Sequence, residues 1–301
     1  MSAREQHLAT RRAAGLFDFS FMGLYEFSGS RELQKLQTRR LQDLEAGQLV
    51  YTLLLNEDGS VFNDATVWRL DAERWWVFTG RRSDTARFRG IARDRSGEYA
   101  IMALQGPASA RILARVIASE IVRALGYFRF VTLGSVLVGR LGYSGELGYE
   151  LLVPRPESKR LWQSVLDASR EDGLRECSFD AANSLRIESG YLLFDREIDG
   201  RANPRELGLE RLVSNGQRFP LSRQLIGLEI TDQPAPATLP AARVTSECFS
   251  PTLRKQIALG FSAPQAAAPG TELRLDDGRL ARAVRLPFYD PDRRRPRAAP
   301  L

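Results

Sequence analysis

Residues 139–154 read GRLGYSGELGYELLVP, and within 142–150 they hold three glycines, Tyr143 and Tyr149, and Glu146 and Glu150. Glu150 stands directly before Leu151, Leu152 and Val153. A carboxylate at the mouth of an apolar strand is costly to bury unless something pairs with it. Tyrosines suit a cavity wall, because each offers an apolar body with a polar tip. Two readings fit the run: a surface hairpin whose acid meets an arginine, or the wall of a small-molecule pocket.

The rest of the composition narrows the chemistry. His7 is the only histidine in 301 residues, and it falls in an N-terminal segment expected to be mobile. Ser-His-Asp and Cys-His catalysis, and most zinc sites, need a histidine held in a structured region. Cys177 and Cys248 are far apart and give neither a disulfide framework nor a metal-ligand spacing, so no metal site is expected. The net charge of +6 is carried almost wholly by arginine, dispersed except for DRRRPR at 292–297, which reads as a solvated basic tail. Nucleic-acid binding is therefore not expected, and a basic surface favours small anions. No apolar run is long enough to span a membrane and no signal peptide is visible, so a cytoplasmic protein is the expectation.

The elements that must position these residues follow from periodicity. Leu33, Leu36, Leu41 and Leu44 predict a helix within 28–48, with Ser30 as its cap. Residues 49–70 predict two strands around Asp58-Gly59, a strong hairpin signal. A strand over 74–80, a helix over 83–95 and a strand–turn–helix over 98–117 follow. Residues 131–154 read as a paired hairpin, 155–173 as an amphipathic helix, and 180–193 as a helix ended by Gly190. Beyond about residue 215 helical periodicity vanishes and short strands alternate with turns, as in a small β-barrel. Pattern alone supports an α+β body with a β-rich C-terminal domain.

Seven blocks in this order resemble the aminomethyltransferase (T-protein) of the glycine cleavage system and its folate-binding relatives. They are RRAAGLFDFSFMGLYEFSG (11–29), VYTLLLNEDGSVFNDATVWRL (50–70), MALQGPASARIL (102–113), GRLGYSGELGYELLVP (139–154), AANSLRIESGYLLFDREI (181–198), NPRELGL (203–209) and FSPTLRKQIALGF (249–261). The resemblance implies a three-domain cloverleaf around a central channel for tetrahydrofolate, with a C-terminal β-barrel. The expected division is 1–48 with 129–215, then a ferredoxin-like 49–128, then 216–301. It also implies metal-free transfer of a methyl, methylene or aminomethyl unit to tetrahydrofolate from a small amine or methyl ether, with a partner subunit among the expected partners. A folate-binding protein without transferase activity is the alternative.

The site residues follow from the same resemblance. Glu150 matches the pterin-binding glutamate; one carboxylate can accept two hydrogen bonds from the pterin edge. Tyr143 and Tyr51 match ligand-side tyrosines, and Arg186, two residues before Glu188, matches an arginine that reaches toward substrate or folate. The family's Gly-Gly-x-x-Asp-Asp turn is GSVFND (59–64) here. Asn63 thus stands where the catalytic aspartate is expected, without its charge. Asp64 is expected on the opposite face of the strand. Phe21 replaces a family histidine, which suits a more hydrophobic donor. The folate-binding iron–sulfur assembly relatives carry a cysteine motif that 190–209 lacks and Cys177 does not supply.

Overall fold

The computed structural model describes residues 1–300; Leu301 lies outside the described residues. The chain opens with α1 (Ala3–Arg12) and β1 (Gly15–Asp18). The second sheet's strands follow: β2 (Gly23–Ser28), β3 (Leu49–Leu55), β4 (Val61–Arg69), β5 (Arg74–Thr79) and β6 (Arg93–Asp94). Helices α2 (Arg31–Leu36) and α3 (Thr85–Phe88) lie between them. The chain then returns through β7 (Tyr99–Gln105), α4 (Ser109–Leu113), α5 (Ser119–Ala124), β8 (Phe130–Leu133), β9 (Val136–Gly139), β10 (Gly148–Pro154), α6 (Arg155–Ala168), β11 (Arg175–Cys177) and α7 (Phe179–Glu188). It ends in β12 (Gln224–Pro234), β13 (Ala241–Ser250), β14 (Lys255–Ser262), β15 (Glu272–Leu275) and β16 (Arg279–Val284).

These strands form a six-stranded sheet, β11-β1-β7-β10-β9-β8, a five-stranded sheet, β3-β4-β5-β2-β6, and a closed barrel, β12-β14-β13-β15-β16. The α+β architecture with a C-terminal barrel is as the sequence led us to expect. The division of 1–215 is not. Strand β2 leaves the N-terminal block for the five-stranded sheet, and β7 leaves 49–128 for the six-stranded one. Edge pairing decides this: β7 is hydrogen-bonded between β1 and β10, and β2 between β5 and β6.

Both central strands of the six-stranded sheet are buried on two faces, so they read as continuous apolar runs. Met102, Leu104, Tyr149, Leu151 and Val153 face α4–α6. Ile101, Ala103 and Leu152 face the other sheet, meeting Trp68, Trp76 and Phe78. Side chains alternate along a strand, so Glu150 falls on the same inter-sheet face as Leu152.

Several local expectations change. Leucine spacing over 28–48 yields only α2, because Gln37 is extended and bridges Leu54. The helix over 83–95 stops at Phe88, where the chain turns into β6. The N-terminal segment is a helix capped by a Ser2–Glu5 capping box, and its His7 is fully buried. The Nδ1 of His7 lies 2.7 Å from Ser184 Oγ, and its Nε2 lies 2.9 Å from Thr252 Oγ1 and 3.1 Å from Glu188 Oε1.

The basic C-terminal run is not a free tail. Arg295 pairs with Glu146 at 3.3 Å, and Tyr289 donates to the same carboxylate at 2.9 Å. Arg140 donates to the carbonyl of Ala298, which ties residues 289–298 to the six-stranded sheet's domain. Complementary buried acid draws the run back onto the body.

Candidate functional site

A cavity of about 590 Å³ opens where the two sheets, the turn after α7, the barrel and the C-terminal segment meet. Apolar and aromatic groups dominate its wall, and two carboxylates, Asp64 and Glu150, project into it.

Glu150 comes from β10, opposite Gly139 on one neighbour and Ala103 on the other. Its side chain is 8% exposed and has no hydrogen-bond or ion-pair partner among the described residues. Burial alone pushes its carboxyl up to about 7. A native strand does not leave a carboxylate so uncompensated without reason.

Asp64 comes from β4. The β3–β4 pairing sets Leu53 opposite Asp64 and Tyr51 opposite Thr66, so Tyr51 and Asp64 are diagonal neighbours on one face. Tyr51 donates its hydroxyl to Asp64 Oδ2 at 2.8 Å. Burial is the largest cause that pushes the Asp64 carboxyl up, to about 6, and the Tyr51 hydrogen bond opposes it. Burial likewise drives the Tyr51 and Tyr143 phenols well above their usual range. Tyr143 donates to the carbonyl of Leu192 and stacks on Tyr191 with ring centroids 5.9 Å apart.

Asn63 faces away from the cavity. Its side chain is fully buried, donates to Asp84 Oδ2 at 2.6 Å, and accepts the backbone N–H of Asp64 at 2.9 Å. Alternation does set the two neighbours on opposite faces, but the pairing of β4 with β3 and β5 gives Asp64 the cavity side. The asparagine therefore does not strip the cavity of its acid.

Arg186 is also elsewhere. Its guanidinium is buried, pairs with Glu197 at 2.7 Å and donates to Ser246, Asn183 and the carbonyl of Tyr191. Four of its five N–H donors are taken by protein groups, so it anchors α7 to the barrel. Glu188 is likewise internal: Arg11 reaches its Oε2 at 2.8 Å, Ser250 donates to its Oε1, and its carboxyl is held down at about 2.

The glycines of 142–148 serve packing. A side chain at Gly142 or Gly148 would collide with the Gln105 amide, which is held by Ser144 Oγ at 2.8 Å. They make room for protein side chains.

Sequence reasoning missed the arginines of the cavity: Arg39, Arg211, Arg293 and Arg297 all line it. The dispersed arginines of the composition carried no signal that would single them out. Of the aromatic rim it singled out Phe21 but not its partner: Phe21 meets Phe179 edge-on at 5.4 Å and Phe19 at 5.8 Å, and both Phe21 and Phe179 are exposed.

A two-sheet body with an appended five-stranded barrel and a cavity that bears two carboxylates defines a class of mixed α+β proteins. Comparison places the chain within that class. The GCVT N-terminal domain family matches residues 1–217, and the glycine cleavage T-protein C-terminal barrel domain matches residues 223–290. The chain belongs to the glycine cleavage T-protein family. It is 34% identical to an aminomethyltransferase of Symbiobacterium thermophilum, over 98% of this chain and 91% of that protein. It is 31% identical to an aminomethyltransferase of Chlorobaculum tepidum, over 96% and 90%. The crystal structure of glycine cleavage system aminomethyltransferase T from Bartonella henselae superposes with a TM-score of 0.81 at 26% identity, covering 96% of this chain and 90% of that one. No described helix is long and apolar enough to cross a membrane.

Proposed function

We infer that the protein is an enzyme, a tetrahydrofolate-dependent one-carbon transferase of the cytoplasm, moving a methyl, methylene or aminomethyl unit from a small amine or methyl ether to the folate. The observation that carries this reading is Glu150, a buried carboxylate with no protein partner, facing a tyrosine-lined cavity. The edge of a pterin, with adjacent N–H donors, is the kind of group that satisfies such an acid by a charge-assisted bidentate contact. The family relationship and the aminomethyltransferase relatives support the same substrate class.

In this reading Glu150 holds and orients the pterin, and the stacked Tyr143–Tyr191 pair lines the cavity beside it. Asp64, oriented by Tyr51, stands at the reacting nitrogen. With its carboxyl at about 6, Asp64 is ionised at neutral pH yet close enough to that range to take or return a proton. Transfer of a methyl or aminomethyl unit breaks the bond between the donor's carbon and its heteroatom, forms the bond from that carbon to one folate nitrogen, and passes that nitrogen's proton to the leaving heteroatom. A methylene product forms when a second folate nitrogen then displaces the amine from an aminomethyl unit and gives it its proton. Among the described residues Asp64 is the only carboxylate besides Glu150 that lines the cavity, and thus the group to relay that proton. Burial behind aromatic walls excludes bulk water from the exchange. The exposed rings of Phe21 and Phe179 at the rim favour a donor, or a partner subunit presenting one, with an apolar flank.

The test is titration with tetrahydrofolate, followed by tryptophan fluorescence, in the wild type and in Glu150→Gln. The reading expects saturable quenching that weakens about ten- to a hundredfold in the variant. Equal affinity in both proteins, or no quenching in the wild type, overturns it.

A further inference from the structure

Strand β4 does not pair evenly with β3. Leu53, Leu54 and Leu55 stand opposite Asp64, Asn63 and Val61, so Phe62 is an extra residue, a β-bulge directly before Asn63. The bulge decides which face each side chain takes. Val61 packs with Leu53, Leu55 and Tyr51 on the cavity side of the sheet, whereas Phe62 packs with Leu54 and Ala65 on the other. With Val61 opposite Leu55, even pairing would carry Asn63 to Leu53 and the cavity side and would turn Asp64 away. The extra residue reverses that assignment.

The bulged backbone is held by groups from outside the ladder. The Val61 N–H donates to the carbonyl of Ala202 at 2.7 Å, and Arg87 donates to the carbonyl of Leu55 at 2.7 Å. Arg81 and Arg87 lie over the Phe62 ring at 5.9 and 5.3 Å. Asn63 Oδ1 accepts the Asp64 N–H at 2.9 Å, and its Nδ2 donates to Asp84 Oδ2 at 2.6 Å. Asp84 Oδ1 in turn accepts from Arg81 Nε at 2.8 Å. Asn63 and Asp84 are both buried, so each satisfies a polar group of the other that water does not reach. Contacts thus run from Arg81 through Asp84 and Asn63 into the backbone of Asp64. Asp84 acts on Asp64 by charge as well: burial is the largest cause that raises the Asp64 carboxyl, and the charges of Asp84 and Glu197 add to it.

We propose that Arg81, Asp84 and Asn63 are positioning residues for Asp64: they clamp the bulge at Phe62 and so keep Asp64, and not residue 63, turned to the cavity. The inference rests on the reading of Asp64 as the proton-relaying acid and adds the groups that hold it there. It also gives the amide at 63 a purpose. Only a side chain with one donor and one acceptor can bridge the Asp84 carboxylate and the Asp64 N–H.

Carboxyl carbon-13 NMR of aspartate-labelled protein tests this without any donor, the Asp64 signal being assigned by its loss in Asp64→Asn. The other titratable groups around Asp64 are Tyr51, Tyr143, Glu150 and Glu197, and Arg39, Arg211, Arg293 and Arg297 share the cavity; no variant below changes them. The wild-type midpoint is expected at about 6. It falls toward the ordinary carboxyl range in Asp84→Asn and in Asn63→Ala, as a loosened Asp64 gains water. Asn63→Ala keeps the Asp84 charge, so the fall there reports position alone. Asp195→Asn, which removes only the exposed second partner of Arg81, leaves the midpoint unchanged. Asn63→Asp combined with Asp84→Asn exchanges amide and carboxylate across one hydrogen bond and leaves Arg81 and the Asp64 N–H their acceptors. This exchange is expected to bring the midpoint back toward the wild-type value, and it decides the matter even where Asn63→Ala does not fold. An unchanged midpoint in Asn63→Ala, or an exchange variant that folds with the midpoint of Asp84→Asn, overturns the proposal. Tetrahydrofolate quenching of tryptophan fluorescence stays within about threefold of wild type in every variant, because Glu150 is untouched. A larger affinity loss in Asn63→Ala at an unchanged midpoint would place residue 63 against the ligand and overturn the clamp. Absence of quenching in the wild type is a different outcome: it removes the folate reading and leaves the carboxyl titrations to stand by themselves.

Discussion

Tyr51 and Asp64 meet diagonally across the β3–β4 ladder, with the phenol donating to the carboxylate at 2.8 Å inside the cavity. A hydroxyl that can only donate here holds one carboxylate oxygen still and leaves the other turned to the ligand. Removal of either partner separates orientation from charge. Asp64→Asn is expected to abolish transfer while tetrahydrofolate still quenches tryptophan fluorescence. Tyr51→Phe is expected to retain transfer at a rate lowered about ten- to a hundredfold. Transfer in the wild type is expected to rise with pH through about 6, as the Asp64 carboxyl ionises.

The two cavity carboxyls make the unliganded protein less stable as pH rises. Both are raised in the folded state, Asp64 to about 6 and Glu150 to about 7, so between the ordinary carboxyl range and these values the folded form binds more protons than the unfolded one. Stability falls with rising pH across that window and stays low above it. Glu150→Gln is therefore expected to raise the thermal midpoint at pH about 8, by up to about 3 kcal/mol of stability, while weakening folate binding. Calorimetry at two pH values checks it; a variant less stable than wild type at the higher pH would count against an unpaired Glu150.

Asn63→Asp restores the family's expected acid and is expected to gain nothing. The new carboxylate would sit where the amide now donates to Asp84 Oδ2 at 2.6 Å, setting two buried acids together. A loss of about 2–4 kcal/mol in chemical denaturation is expected, with no rise in transfer. Increased transfer would show that the face assignment along β4 is wrong.

Arg186→Ala is expected to act on the fold. It leaves Glu197 buried without its partner at the junction of α7 and the barrel, at a cost of about 3–5 kcal/mol. Folate affinity of the folded fraction stays within about twofold of wild type, by fluorescence titration under native conditions. A large affinity loss at unchanged stability would return Arg186 to the ligand.

Much of this architecture was legible in the sequence. The Asp58-Gly59 turn, the β-rich C-terminal domain and the apolar run after Glu150 rest on local signals, and each stands in the structure with Gly59 at φ +84°. What was not legible depends on long-range pairing. Nothing local tells β2 and β7 to exchange sheets, and nothing in GSVFND says which of Asn63 and Asp64 faces inward. That choice is made by strands β3 and β5 on either side. The short helices α2 and α3 fail for the same reason: sheet pairing at Gln37 and at β6 takes over backbone that periodicity assigned to helix. Charged residues were least legible. Arg186 is expected to reach toward a ligand and is instead buried against Glu197, while the C-terminal arginines look like a tail and reach the cavity wall.

That last placement bears on how the protein is made. Arg293 and Arg297 line the cavity, Tyr289 and Arg295 close over Glu146, and all four follow the barrel in the chain. The two sheets can assemble while the chain is still being synthesised, but the pocket has no finished wall until the residues after the barrel have been made. Nascent chains are therefore unable to sequester the ligand, and a chain cut short after the barrel would carry every carboxylate of the site in an open, leaking cleft.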